Sequence, residues 1–266
     1  DYGFAVYEDS GKVSVYAYYG TDKNVTTPYK FNGTVVTEIF GGAFAHTSVV
    51  SVSVSEGVTF IGEGAFTGSQ LLEKITLPST VTEINDGAFY GCPKLIDIKG
   101  TAGLKKVGGF AFNDTPWYDT ISDEFAVIGD GILIKYGGAG GNVTIPEGVK
   151  SIVSAFRGKT DVTGIEFGSS VLAEIGYGSF DGCTGLHTVV IPDSVKKIGI
   201  GSFANCTSLE EVTLGSGVTE IGQSAFLSCD AIAKVKYTGS ESDWEKLSIG
   251  EGNEKLTEAK REYGAK

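Results

Sequence analysis

The chain has 266 residues, and its 33 acidic residues against 21 basic ones give a formal net charge of −12. Nucleic acids and anionic membranes attract proteins through Lys and Arg, so this balance argues against both as partners. No apolar run approaches the roughly 18 to 20 residues of a membrane-spanning helix, and the chain, which begins at Asp1 and lacks methionine, is expected to be a processed segment whose leader has been removed.

The first predicted element is an N-terminal β cap over residues 1–34. Apolar and polar residues alternate between Phe4 and Tyr29, most clearly in Val13-Ser14-Val15-Tyr16, which is the pattern of a strand with one buried face. We predict that this segment covers the open end of the first repeat.

A repeat of about 23 residues follows, first over residues 35–112 and again over residues 143–238. Its pattern is Val-x-x-Ile-Gly-x-x-Ala-Phe-x-x-Cys-x-x-Leu-x-x-Val-x-Ile-Pro, and the anchor phenylalanines follow one another at 22, 23, 23, 44, 24, 23 and 23 residues. The anchors are Phe44, Phe66, Phe89, Phe112, Phe156, Phe180, Phe203 and Phe226. A fixed period of this length is typical of a solenoid whose units pack only on their neighbours. The pattern therefore predicts one continuous array, with the anchors stacked in a column.

Within each repeat, the end of the Leu-x-x-Val-x-Ile segment alternates with period two and predicts a short strand with one buried face. The Gly-x-x-Ala-Phe-x-x-Cys stretch predicts a helical turn that buries its Ala, Phe and Cys. The residue before every anchor is Ala or Ser, so the backbone of the next coil is expected to pass close by.

Two stretches of the chain carry a resemblance to a known family: Ile84 to Leu95 (Ile-Asn-Asp-Gly-Ala-Phe-Tyr-Gly-Cys-Pro-Lys-Leu) and Ile198 to Leu209. They resemble the leucine-rich repeats of the BspA type, which are found in bacterial surface proteins, including Treponema ones. The likeness runs from about Val35 to Tyr237. It implies an α/β repeat solenoid: a right-handed leucine-rich-repeat superhelix with short parallel strands, capped at both ends. It also implies secretion and a role in adhesion or ligand binding, and the family offers no catalytic residue to transfer.

Residues 113–142 interrupt the repeat. The Asp130-Gly131 pair between two apolar runs is a strong signal for a β-hairpin, which we predict as an insertion that projects from the array. Trp117 and Tyr118 precede it and are either a lip for a ligand or a packing plug that restores the register. The plug is preferred, because aromatic residues in an insertion usually bury themselves.

The last predicted element is a C-terminal cap over residues 239–266. Ser242-Asp243-Trp244-Glu245 has the form of a capping box that opens a short helix. Trp244 is expected to close the hydrophobic end of the last coil.

The cysteines all stand three residues after an anchor, at Cys92, Cys183, Cys206 and Cys229. No fourth ligand or CxxC pair supports zinc, and parallel side chains on neighbouring coils aim poorly at each other for disulfides. Because other coils place Ser or Thr in the same slot, we predict buried, structural free thiols. The two histidines, His46 and His187, lie far apart and assemble no catalytic triad. The sequence thus predicts no cofactor, no metal and no enzyme.

The exposed positions of the predicted strands are the remaining candidate for a binding surface. Their charges alternate in sign, without the aromatic ladder that would favour a carbohydrate or the basic stripe that would favour nucleic acid. A solvated face with no ligand is the alternative. The candidate contact residues are Glu73, Lys74, Asp97, Lys99, Glu166, His187, Glu210 and Glu211, with Trp117 and Tyr118 beside the hairpin.

We therefore predict a non-catalytic, extracellular binding or adhesion module of a bacterial cell-surface protein. It would be a monomer without direct membrane insertion, and its partner would be a protein or glycan of the host or of a neighbouring cell. The alternative is a structural spacer that holds other domains at the cell surface.

Overall fold

The computed structural model describes residues 3–264 of the chain. These residues form two units, one of residues 3–122 and 128–130 (unit 1), the other of residues 123–127 and 131–264 (unit 2). In each unit the chain winds into stacked coils that place short strands in parallel ladders. The right-handedness of the coil and its continuity as one domain remain predictions. The outermost residues of the two predicted caps, 1–2 and 265–266, lie outside the described range.

The first sheet of unit 1 opens with a hairpin and continues as a parallel ladder. Strands β1 (Phe4–Asp9) and β2 (Lys12–Tyr18) pair in antiparallel orientation, and β2 then pairs in parallel with β6 (Glu38–Ile39). Its order is β1 (Phe4–Asp9), β2 (Lys12–Tyr18), β6 (Glu38–Ile39), β8 (Phe60–Ile61), β10 (Glu83–Ile84) and β12 (Lys106–Val107). The hairpin thus supplies the first two strands of this sheet, and its role as a cap over the first coil remains a prediction.

The second sheet of unit 1 contains the strands of the Leu-x-x-Val-x-Ile segments, and they pair in parallel. They are β3 (Asn24–Thr26), β7 (Ser51–Ser53), β9 (Lys74–Thr76) and β11 (Asp97–Lys99). A small antiparallel pair, β4 (Lys30–Phe31) and β5 (Thr34–Val35), precedes the first repeat. A 3-10 turn (Thr101–Gly103) and the helix α1 (Pro116–Asp119) complete the unit.

Unit 2 has the same two kinds of sheet. The first is ordered β13 (Phe125–Ile128), β14 (Ile132–Tyr136), β16 (Ser151–Ile152), β18 (Glu174–Ile175), β20 (Lys197–Ile198), β22 (Glu220–Ile221) and β24 (Ser248–Ile249). The second is ordered β15 (Gly141–Ile145), β17 (Val162–Phe167), β19 (Thr188–Ile191), β21 (Glu211–Leu214), β23 (Lys234–Tyr237) and β25 (Lys260–Tyr263). Helices α2 (Glu241–Trp244) and α3 (Glu254–Glu258) lie near its C-terminal end.

The anchor phenylalanines form the predicted column in each unit. Neighbouring rings in unit 2 are nearly parallel, with centroids 5.0 Å apart between Phe180 and Phe203 and 5.2 Å apart between Phe203 and Phe226. In unit 1 the Phe44 and Phe66 centroids are 4.8 Å apart. All eight anchors are almost completely buried. Because a buried ring of this size contributes about 1.5–3 kcal/mol, the column is a main source of the stacking energy.

The stretch around each anchor is a chain of turns and not the helical turn that the sequence pattern predicted. In every coil, the residues two before and two after the anchor have positive φ, as Gly178 (54°) and Gly182 (75°) do around Phe180. The N–H of Phe180 donates to the carbonyl of Ser202 in the next coil, at 2.7 Å, and not to a carbonyl within its own turn. The left-handed residues turn alternate N–H groups outward, which breaks the helix and ties successive coils together.

The cysteine slot is the buried structural position that we predicted. All four thiols are free and buried. Each donates from Sγ to the carbonyl of the preceding coil's anchor, as Cys183 does to Phe156 at 3.2 Å. In unit 1, Ser69 Oγ makes the equivalent bond to the Phe44 carbonyl at 2.6 Å. Thiols and hydroxyls thus exchange in this slot because either can satisfy a buried carbonyl.

The predicted hairpin in residues 113–142 is present, but the prediction that it projects is wrong. Strands β13 and β14 are neighbours joined by residues 129–131. Strand β14 pairs in parallel with β16, and its residues Ile132 and Leu133 are fully buried. The apolar residues of β14 are buried because this strand forms the first rung of the parallel ladder of unit 2.

The C-terminal helix begins earlier than predicted. The N-cap of α2 is Ser240, which accepts a hydrogen bond from the Asp243 N–H and forms the capping box with that residue. The predicted pair, Ser242 and Glu245, lies two residues too far along. Trp244 is buried as expected, and its ring meets that of Tyr237 edge-on at 5.6 Å.

Candidate functional site

The exposed side of the longer strands, here called the strand face, carries ion pairs between neighbouring rungs. In unit 1, Lys74 on β9 lies 3.4 Å from Asp97 on β11, and Lys99 lies 3.9 Å from the same carboxylate. Buried residues of these strands, such as Ile75, alternate with them and fix the backbone. Three of the predicted contact residues therefore form one small cluster.

The strand face of unit 2 carries a longer network. Glu211 on β21 accepts from Lys236 at 2.6 Å and lies 3.8 Å from Lys234, both on β23. Lys234 reaches on to Glu262 of β25 at 2.9 Å. The hydrogen bond between them raises the pKa of Lys234 and lowers the pKa of Glu262. Both groups thus stay charged, and ion pairs between neighbouring strands hold these side chains in place.

Glu166 on β17 is held differently, because its partners are neutral. Asn142 Nδ2 and Thr144 Oγ1 on β15 donate to its two oxygens, at 2.8 and 3.1 Å. This arrangement fixes the carboxylate but leaves its charge uncompensated by these partners, so it could still accept a cationic ligand.

Three predicted contact residues, Glu73, His187 and Glu210, are exposed and lie just before their strands. Within residues 3–264, neither Glu73 nor Glu210 has a cationic partner. Glu210 and Glu211 are adjacent, so one paired and one unpaired carboxylate share the same rung. These unpaired carboxylates are the positions of the strand face most open to a partner.

Trp117 and Tyr118 lie on α1, capped by Thr115, and both are half-buried. The Trp117 ring packs on Phe112, the last anchor of unit 1, with centroids 4.9 Å apart. Burial, and then the nearby Asp119 charge, raises the pKa of Tyr118 to about 12. This is the geometry expected of a packing plug that ends the column of unit 1.

The structure reveals a cluster of aromatic side chains that the sequence analysis missed. Tyr7 on β1, Tyr16 on β2 and Phe40 just after β6 are about half exposed or more, and half-buried Phe60 on β8 lies beside them. These four residues, here called the aromatic patch, lie on the first sheet of unit 1. A signal was available, because Phe40 occupies a position that is usually glycine in other coils. The Leu-x-x-Val-x-Ile strands, on which the predicted binding surface lies, contain none of these four residues.

No group of three or more His, Cys, Asp or Glu side chains within residues 3–264 is arranged to hold a metal ion. In the same range, no helix combines the length and the apolar character needed to cross a membrane.

Repeats joined by parallel ladders define the class of solenoid repeat proteins. The family model for the BspA type leucine rich repeat region matches residues 12–132 and 139–248, with six copies. The chain therefore belongs to the BspA-type leucine-rich repeat family. The matched family is not an enzyme family.

Several solved structures are similar to this chain. A leucine rich cell surface protein from Faecalibacterium prausnitzii is 21% identical, with 93% of this chain and 96% of that one covered and a TM-score of 0.41. The Treponema pallidum leucine rich repeat protein is 24% identical over 86% of this chain and 88% of that one, with a TM-score of 0.44. The pneumococcal vaccine antigen PcpA is 17% identical over 88% and 79%, with a TM-score of 0.44. No curated protein matches the sequence.

Proposed function

We propose that this chain is a non-catalytic binding module that acts in adhesion at a bacterial cell surface, with the strand face as its contact surface. Membership of a leucine-rich repeat family, whose domains generally bind proteins, supports the general role. The observation that carries the proposal is the strand face of unit 2, where the exposed carboxylates of Glu166 and Glu210 lie beside a buried apolar row of parallel strands.

The chemistry of this face favours a partner with a basic surface. The carboxylates of Glu73 and Glu210 face solvent without cationic partners in the described part of the chain, and the whole chain carries a net charge of −12. Attraction between opposite charges speeds association, and salt weakens this attraction. Trp117 and Tyr118 have the lesser role in this proposal, because both are already half-buried.

The test is a binding screen of the purified chain against host extracellular-matrix proteins by surface plasmon resonance, at low and high salt. We expect at least one basic protein to bind, and the E73Q/E210Q variant to bind about tenfold or more weakly. A matched control neutralises Glu56 and Glu147, two exposed carboxylates outside the strands.

Equal loss in the control would show a general charge effect and contradict the strand face as the site. The structural spacer is the second candidate function. It would be favoured if no protein or glycan in the screen binds and the complete gene product carries flanking domains.

A further inference from the structure

From the aromatic patch of unit 1 we infer a second binding site, for a neutral oligosaccharide. It lies on the sheet that begins with β1 and β2, whereas the strand face lies on the other sheet of the unit. The inference therefore stands independently of the proposed protein-binding role.

The first observation is the exposure of large aromatic side chains that have no structural need to face solvent. Tyr7, Tyr16 and Phe40 are 61%, 51% and 48% exposed. The rings of Tyr16 and Phe40, on neighbouring rungs, have centroids 5.0 Å apart and planes 31° apart. Leaving such rings in water forgoes the free energy that their burial would provide, so an exposed cluster is a common mark of a binding site.

The second observation is the residue that Phe40 replaces. The position after the buried strand isoleucine or valine is glycine in six other coils, at Gly62, Gly108, Gly176, Gly199, Gly222 and Gly250, and it is Asn85 or Val153 in the other two, so Phe40 is the one aromatic residue there among the described coils. At Gly62 a Cβ atom would lie 2.5 Å from the amide nitrogen of Gly41, so close packing against the preceding coil requires the glycine there. An aromatic ring at this position of the repeat therefore needs an explanation other than coil packing.

The third observation is the shape of the surface on either side of Phe40. A depression of about 240 Å³ is lined by Tyr7, Asp9, Lys12, Ser14 and Tyr16, together with Glu38 and Phe40. A wider and shallower one of about 620 Å³ shares Glu38 and Phe40, and its floor contains Gly41, Gly42 and Gly62. Two adjoining depressions separated by a ring suit a ligand of several linked units better than a single small molecule.

The polar groups in these depressions match a sugar. Glu38 is held in place by Lys12 Nζ at 3.0 Å and Ser14 Oγ at 3.1 Å. A carboxylate has about four acceptor positions, so two remain for hydroxyl groups of a ligand. In the wider depression Asn85, Thr67 and Glu63 add further donors and acceptors. Aromatic faces beside oriented carboxylates and amides can bind both the C–H face and the hydroxyls of a sugar ring.

The charges select among possible occupants. Asp9, Glu38 and Glu63 outnumber Lys12 in the two depressions, so an anionic glycan would be repelled. The cores of protein interfaces are depleted of Asp and Glu, whereas Glu38 lies at the centre of this surface and lines both depressions. A neutral oligosaccharide meets both conditions.

The experiment measures binding of the chain to maltohexaose, cellohexaose, laminarihexaose and mannohexaose by saturation-transfer NMR and calorimetry. We expect at least one of them to bind, and the Y16T/F40G variant to bind it about tenfold or more weakly. Phe40→Gly introduces the residue that other coils carry, and Thr keeps the strand preference of Tyr16. Tyr19→Ala is the matched control, because Tyr19 is 74% exposed and lies outside both depressions.

Glu38→Gln provides a second measurement that depends on chemistry and not on fold. It should weaken binding of the neutral hexasaccharide severalfold, because a carboxylate accepts hydroxyl hydrogen bonds more strongly than an amide does. Circular dichroism and the thermal midpoint check that each variant is folded. The inference is overturned if none of the four sugars binds at about 10 mM, or if Y16T/F40G binds as well as the parent chain. It is equally overturned if hyaluronan hexasaccharide or a polyproline peptide binds there and the neutral sugars do not.

Discussion

In unit 1, the Tyr18 ring stacks on the first anchor, Phe44, with centroids 5.5 Å apart, and Phe4 packs on Tyr18 at 5.0 Å. In unit 2, the Tyr136 ring stacks on Phe156 at 4.7 Å, and Phe125 packs on Tyr136 at 5.2 Å. Both hairpins begin with Phe-Ala-Val, and both deliver a tyrosine to the head of a phenylalanine column. The hairpin of residues 125–136, within the segment predicted as an insertion, thus has the same arrangement as the hairpin of the predicted N-terminal cap.

The outer sides of the two hairpins differ. Tyr16 and Phe40 of unit 1 correspond by register to Ile134 and Val153 of unit 2, which are 3% and 7% exposed. Glu38, between the aromatic rings, corresponds to Ser151. The phenylalanine column therefore constrains the buried side of the hairpin in both units. The outer side of the hairpin is not constrained in this way and can carry a binding site in one unit only.

Removing an anchor should have the largest effect, and it should be similar in the two units. Phe66→Ala and Phe203→Ala each delete a fully buried ring between two stacked neighbours, so each should lower the free energy of unfolding by about 3–5 kcal/mol. Urea unfolding followed by circular dichroism measures the loss. Phe40→Gly serves as the control, since an exposed ring should cost less than about 1 kcal/mol. A much smaller loss of unfolding free energy in one unit would contradict the structural equivalence of the two columns.

The cysteine slot should make stability depend on alkaline pH where it holds a thiol. Burial raises the pKa of Cys183 from its ordinary value of 9.0 to about 12. The folded state therefore keeps this proton while the unfolded state releases it, and stability is lost as pH rises from about 9 towards 12. Cys183→Ser should retain on the order of 1–3 kcal/mol more of its stability than the parent between about pH 7 and pH 11.

The control for this prediction is Ser69, which fills the same slot in unit 1 and does not titrate. Ser69→Ala should lower the free energy of unfolding by a similar amount at both pH values, measured by urea unfolding. Parallel pH dependence of the Cys183→Ser variant and the parent would show that the thiol does not ionise on unfolding.

The ion pairs of the strand face should have the smallest effect on stability. Lys74→Ala in unit 1 and Lys236→Ala in unit 2 each remove the cation of a partly exposed pair, with N–O distances of 3.4 and 2.6 Å. Exposed pairs contribute about 0–1 kcal/mol, and salt screens them. Thermal unfolding at low and high salt should therefore show little change in either unit. A loss of more than about 2 kcal/mol would mean that these charges hold the sheet together.

Much of the fold was predictable because the repeat imposes the same environment at every period. The eight anchors, the small residue before each of them and the cysteine slot were all identified from spacing alone. The helical turn was wrong because Gly178 and Gly182 are left-handed positions four residues apart, and they redirect the N–H of Phe180 to the next coil. The prediction of a projecting hairpin was wrong because an interruption of the sequence repeat does not interrupt the stacking of strands. Strand β14 of the hairpin pairs directly with β16.

The candidate surfaces were less predictable. The sequence placed the candidate residues on the strands, but Lys74, Asp97 and Glu211 are half-buried, and which residues pair, as Glu211 does with Lys236, depends on side-chain reach across rungs. Tyr7, Tyr16 and Phe40 lie up to 33 residues apart in the sequence, and no periodic pattern marks them as neighbours.

By itself, the sequence determined the family, the period and the buried positions, because each coil must present to the next a side chain that fits the same dry interior. Only the tertiary structure decided that residues 125–136 repeat the arrangement of the N-terminal hairpin and that three aromatic side chains meet beside Glu38. Exposed positions are free of the packing constraint that generates the repeat, so their grouping follows from strand register and not from periodicity.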